Sequence, residues 1–89
     1  MGITPFEPKN MNDLLGRFDE LNAVAEEMIN DPDSLLGEVL DLIYQCEGLV
    51  PFDTLGKLHI RDSKWLVNEG KLQLSLAKLY LALDPHALR

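Results

Sequence analysis

Few side chains in this sequence could act as nucleophiles, general acids and bases, or metal ligands. Cys46 is the only cysteine, and it falls on an apolar stripe of a predicted helix, where a small buried residue is the common case. His59 and His86 are far apart in the chain and flank no serine or cysteine in a diagnostic motif. The six glycines occur singly, so no glycine-rich loop is available to hold a phosphate. The sequence therefore predicts a protein that is not an enzyme and that needs no cofactor or metal.

Acidic residues are concentrated in the first part of the chain. Residues 1–56 carry 12 acids against two bases, whereas residues 57–89 carry 3 acids against 6 bases, and the net charge is -7. Adjacent acidic helices could present a negative surface to a basic partner protein. The predicted partner-binding residues are Asp19, Glu20, Glu26, Glu27, Asp33, Glu38 and Asp41.

The C-terminal bases offer an alternative, in which the chain binds nucleic acid directly. Clustered positive charge binds phosphates, and an aromatic side chain such as Trp65 can stack on a base. The candidate contacts in segment 57–78 are Lys57, Arg61, Lys64, Lys71 and Lys78. Their density is low, and a solvated basic face with Trp65 in the core is the more common arrangement. Direct nucleic-acid binding is therefore not the favoured hypothesis.

Two helices can be assigned from hydrophobic spacing in the first half of the chain. Residues 12–30 form the clearest helix, with Asn12 placed as its cap and one apolar stripe. The stripe consists of Leu14, Phe18, Leu21, Ala25 and Met28. A second helix should begin at Pro32, capped by Asp31, and continue to about Glu47, with Gly48 in the left-handed position that closes helices.

The second half of the chain permits two interpretations. Residues 72–83 have the apolar spacing of a helix, and a long helix from about residue 62 would have to contain Gly70. Leu72, Leu74 and Leu76 also alternate strictly, which is typical of a strand, so a hairpin at about 64–76 is the rival. The structure of residues 58–70 stays undecided at this point.

Together these elements predict an all-α bundle of three to four helices, or an α+β fold if the hairpin forms. Residues 1–10, with two prolines, should be an extended arm, and residues 11–89 a single helical domain. The apolar content is generous for so short a chain, which favours a homo-oligomer. The predicted oligomer interface consists of Leu36, Leu40, Ile43, Leu72, Leu76, Leu79 and Leu83.

The favoured functional hypothesis is a non-enzymatic protein-binding module. It would be a small regulator or inhibitor, of the kind carried by mobile elements, that binds a DNA-binding or other basic protein through its acidic helices. The alternative is a small DNA-binding transcriptional regulator that uses residues 57–78. With no membrane-length apolar run, no signal peptide and no cysteine pair, the sequence predicts a cytoplasmic protein that does not insert into membranes.

Overall fold

The computed structural model describes residues 8–27 and 33–86, and within these ranges the chain is all-α. The helices are α1 (Met11–Glu27), α2 (Asp33–Leu49), α3 (Thr54–Asn68) and α4 (Leu72–Leu83), and a 3-10 turn, Asp84–His86, follows α4. No strand occurs among the described residues. The all-α prediction and the helix at 72–83 are confirmed. The alternative hairpin at 64–76 is wrong, because those residues belong to α3, α4 and the turn between them.

The start of α1 is set by a different asparagine from the one predicted. The side-chain oxygen of Asn10 accepts a hydrogen bond from the Asp13 backbone N–H at 3.0 Å. The Asp13 carboxylate in turn accepts from the Lys9 N–H at 2.9 Å. The first bond satisfies one of the amide groups that a helix leaves unpaired at its N-terminus, and the second ties the Asp13 side chain to the residue before Asn10. The prediction that Asn12 is the cap is therefore wrong, since Asn12 lies inside the first turn.

Several sequence predictions concern residues outside the described part of the chain. These are the arm at positions 1–7, the end of the first helix at 28–30, the start of the second helix at Asp31 and Pro32, and the last three residues. Residues 8–10 precede α1 without helical structure.

Gly48 and Gly70 differ in backbone conformation. The prediction that Gly48 closes the second helix in a left-handed conformation is wrong, because α2 continues to Leu49. Among the described residues, Gly70 is the one with a positive φ, at 74°. The backbone N–H of Lys71 donates to the Leu66 carbonyl at 2.9 Å across this turn, which ends α3 and starts α4.

Replacing Gly70 with alanine should lower the free energy of unfolding by about 1 kcal/mol, because a Cβ disfavours the left-handed conformation. The matched control is Gly16→Ala. Gly16 lies within α1, and an added Cβ there meets nothing within 4 Å. This change should raise the free energy of unfolding by about 0.5–1 kcal/mol. Urea unfolding of both variants measures the two effects, and effects of the same sign would contradict the turn geometry.

Helices α3 and α4 form an antiparallel pair along most of their length. Lys71 near the start of α4 bonds to Leu66 near the end of α3, and the Lys78 ammonium lies 3.8 Å from the Asp62 carboxylate further along the pair. Between these points the Ser63 hydroxyl donates to the Ser75 carbonyl at 2.7 Å. Both serines are fully buried. Small side chains at this contact allow the two helix backbones to approach closely.

The helices enclose one apolar core, to which all four contribute. The predicted stripe of α1 is confirmed as far as it is described, with Leu14, Phe18, Leu21 and Ala25 buried. Most of the predicted oligomer interface also lies in this core. The buried members are Ile43, Leu72, Leu76, Leu79 and Leu83, and the partly buried members are Leu36 and Leu40. A side chain enclosed by its own chain cannot contact a second copy, so the five buried positions are core residues.

Candidate functional site

The acidic side chains predicted to bind a partner lie on the surface of α1 and α2. Every predicted member whose side chain is described is exposed, namely Asp19, Glu20, Glu26, Glu27, Glu38 and Asp41. The seventh member, Asp33, is the first residue of α2. The sequences of α1 and α2 together contain nine acids and a single base, Arg17. We refer to the six exposed residues listed above as the acidic surface.

The acidic surface is divided between two sides of α1. Arg17 forms an ion pair with Glu38 of α2 at 3.5 Å, which shows the side of α1 that faces α2. Glu20 lies three residues after Arg17 and Glu27 seven residues after Glu20, so both lie near this side. Asp19 lines a groove between α1 and α4. The carboxylates of α1 therefore flank two different neighbours, which the sequence alone did not reveal.

Three of the five candidate bases for nucleic-acid binding already have acidic partners within the chain. The Lys64 ammonium lies 2.6 Å from the Glu47 carboxylate and 5.0 Å from the centre of the Tyr44 ring. Lys78 pairs with Asp62, as described above, and the Arg61 guanidinium lies 4.0 Å from the same carboxylate within α3. These contacts link α3 to α2 and α4 to α3. The cations that remain exposed are Lys57, Arg61 and Lys71.

Trp65 is not a core residue, contrary to the sequence expectation. It is 59% exposed on α3, on the side opposite the buried Ser63 and Val67. The antiparallel arrangement of α3 and α4 also differs from the steeply crossed pair of a helix-turn-helix, in which the second helix projects into a groove of DNA. An exposed tryptophan favours nucleic-acid stacking, whereas the helix arrangement and the paired lysines do not.

The two histidines, which are distant in sequence, line the same small cavity of about 50 Å³. The Nδ1 atom of His59 is buried there without a hydrogen-bond partner. The ring of His86 packs edge-on against Phe52, with 5.4 Å between the ring centres. No group of three or more potential metal ligands occurs among residues 8–27 and 33–86. The proximity of the two histidines could not be predicted from the sequence, because no motif connects the turn after α4 with α3.

Cys46 lies in the core, as its position on an apolar stripe predicted. Burial, with a smaller contribution from the neighbouring Glu47 carboxylate, raises the pKa of its thiol from 9.0 to about 12. A thiol that keeps its proton at neutral pH is a poor nucleophile and a poor metal ligand.

This pKa predicts a specific loss of stability in alkaline solution. Below about pH 9 the thiol is protonated in both the folded and the unfolded chain, so Cys46 adds no pH dependence. Between about pH 9 and 12 the unfolded chain releases the proton and the folded chain keeps it, so the free energy of unfolding falls. Urea unfolding at several pH values should show this fall in the wild type and less of it in Cys46→Ala. Equal slopes for the two proteins would contradict it.

Comparison of the chain with protein-family models, curated proteins and solved structures found no match. Within the described part of the chain, none of the helices combines the length and the apolar character needed to cross a membrane.

Proposed function

We propose that this chain is a non-enzymatic binding module that engages a basic protein through the acidic surface of α1 and α2. It would act as a small regulator or inhibitor, and a DNA-binding protein is the partner whose own cationic site best fits such a surface. The strongest support is the exposure of these carboxylates beside a single base. Asp19, Glu20, Glu26, Glu27 and Asp41 have no ion-pair partner among the described residues, so their charge remains available to a partner.

Such a surface is suited to steering a cationic partner towards the chain. Like charges on adjacent helices add to one negative potential, which speeds association and excludes acidic competitors. At physiological salt the effect of each charge extends about 8 Å, so the carboxylates nearest the contact matter most.

Affinity capture tests the proposal. The purified chain is immobilised and exposed at moderate salt to a nuclease-treated lysate of its source organism, and retained proteins are identified by mass spectrometry. We expect one basic protein in near-stoichiometric amount. Retention of material only when nuclease is omitted would favour the DNA-binding alternative instead.

The DNA-binding alternative has its own test, supported by the exposed Trp65. If residues 57–78 bind DNA, affinity for a mixed-sequence duplex should fall steeply as salt rises, and Arg61→Glu combined with Lys64→Glu should abolish it. The acidic-surface proposal predicts no measurable duplex binding, even at low salt. Fluorescence anisotropy of a labelled duplex distinguishes the two.

A further inference from the structure

Five large apolar side chains lie exposed on the outer face of the α3–α4 pair. On α3, the residues two positions before and two positions after Leu58 are buried, and so are those around Trp65. The same holds for Leu74 and Leu81 on α4. Because each residue of a helix turns by about 100°, such positions point away from the core. Leu55 completes the set. We call these five residues the apolar face.

Contacts between the helices place both halves of this set on one continuous surface. Leu55 of α3 and Leu81 of α4 line the same small cavity, near one end of the pair. Asp62 and Lys78 make their ion pair across the middle of the two helices. The apolar face therefore lies on the outer side of the layer formed by α3 and α4, and the inner side of this layer packs on α1 and α2.

We propose that the apolar face is the surface through which two copies of this chain form a symmetric dimer. Two antiparallel helix pairs stacked face to face would form a four-helix arrangement of two layers. The same patch would serve both copies, as in most symmetric dimers. The acidic surface of each copy would stay free. This inference does not depend on the proposed function.

The size of the apolar face supports a second copy as the occupant. A fully exposed side chain of this size presents about 150–250 Å², so at 40–61% exposure the five present about 500 Å². A standard interface buries about 800 Å² per partner, and about 65% of a homodimer interface is apolar. The apolar face therefore supplies the apolar area that a stable dimer needs from each copy.

Charge makes this face a less repulsive contact between copies than α1 or α2, because residues 54–83 carry five bases and two acids. A second copy approaching α1 or α2 would place acids against acids, since those helices contain nine acids and one base. On the apolar face the one carboxylate between the helices, Asp62, lies within 4.0 Å of Arg61 and 3.8 Å of Lys78. Asp62 is therefore neutralised locally, and the repulsion between two copies is weaker at this face than at α1 or α2.

Sedimentation equilibrium over a range of about 1 to 500 μM, typical of weak to moderate dimers, tests the proposal. We expect twice the 10.0 kDa chain mass at the upper end. Trp65 is the only tryptophan and is exposed in a single copy, so its emission should move to shorter wavelength as the dimer forms. The double variant Leu58→Lys, Leu74→Lys should raise the dimer Kd by about 100-fold or more.

The matched control is Val24→Lys with Leu49→Lys, two exposed apolar positions on α1 and α2. It adds the same charge and should leave both the mass and the Trp65 emission unchanged relative to the wild type. Circular dichroism verifies that both variants keep their helices. A chain that stays monomeric throughout overturns the proposal. A dimer that forms without a shift in Trp65 emission, or that survives the α3–α4 double variant, also overturns it.

Discussion

Replacing Leu79 with alanine should lower the free energy of unfolding by about 3–4 kcal/mol, the range for a leucine in a core that cannot collapse around the cavity. Leu79 has 0% exposure and lies on α4, which contacts each of the other three helices. Small domains are stable by only about 5–15 kcal/mol, so this single change should remove a large fraction of the total.

The control is Leu49→Ala, the same substitution at a position that is 43% exposed near the end of α2. It should cost less than about 1 kcal/mol, because little apolar area and no cavity are involved. Urea unfolding at 2 and 100 μM also separates a core role from the oligomer-interface role predicted from sequence. A core residue gives the same loss at both concentrations, whereas a loss that nearly vanishes on dilution would contradict the core position.

The second large effect concerns the contact between α3 and α4. Replacing Ser63 with leucine should cost about 3 kcal/mol, because the larger side chain must separate two closely packed helices and the hydrogen bond to the Ser75 carbonyl is lost. Ser63→Ala removes the same hydroxyl without added volume and should cost only about 1 kcal/mol. Thermal or urea unfolding of both variants provides the measurement. Similar costs for the two would mean that the helices are not in close contact at Ser63.

Much of the fold was predictable from hydrophobic spacing, because long amphipathic helices mark their own buried side. The α1 stripe and the helix at 72–83 are examples. The structure of residues 58–70 could not be decided, because the buried side of α3 is built partly from small residues, Gly56 and Ser63, which hydropathy does not mark as core. The sequence instead favours Trp65 as a core residue, because large aromatic residues are usually well buried.

The candidate surfaces were predictable only in part. Charged side chains of amphipathic helices face solvent, so the exposure of Glu20 or Asp41 follows from sequence. Their arrangement does not, because it depends on which neighbour each side of a helix faces. The same reason explains the error over Leu79 and its neighbours: an apolar stripe indicates that a surface is covered, but it does not indicate whether the same chain or a second copy covers it.

Charge reversal of selected carboxylates on α1 tests the proposed function most directly. Glu20→Lys with Glu27→Lys changes the side near α2, and Asp19→Lys with Glu26→Lys makes the same net change with Asp19 at the α4 groove. Both variants should keep the helical circular dichroism signal, because all four residues are exposed. In affinity capture from a nuclease-treated lysate, the first variant should no longer retain the basic protein. The second variant should retain more of this protein than the first. Undiminished retention by both variants would contradict binding through the acidic surface.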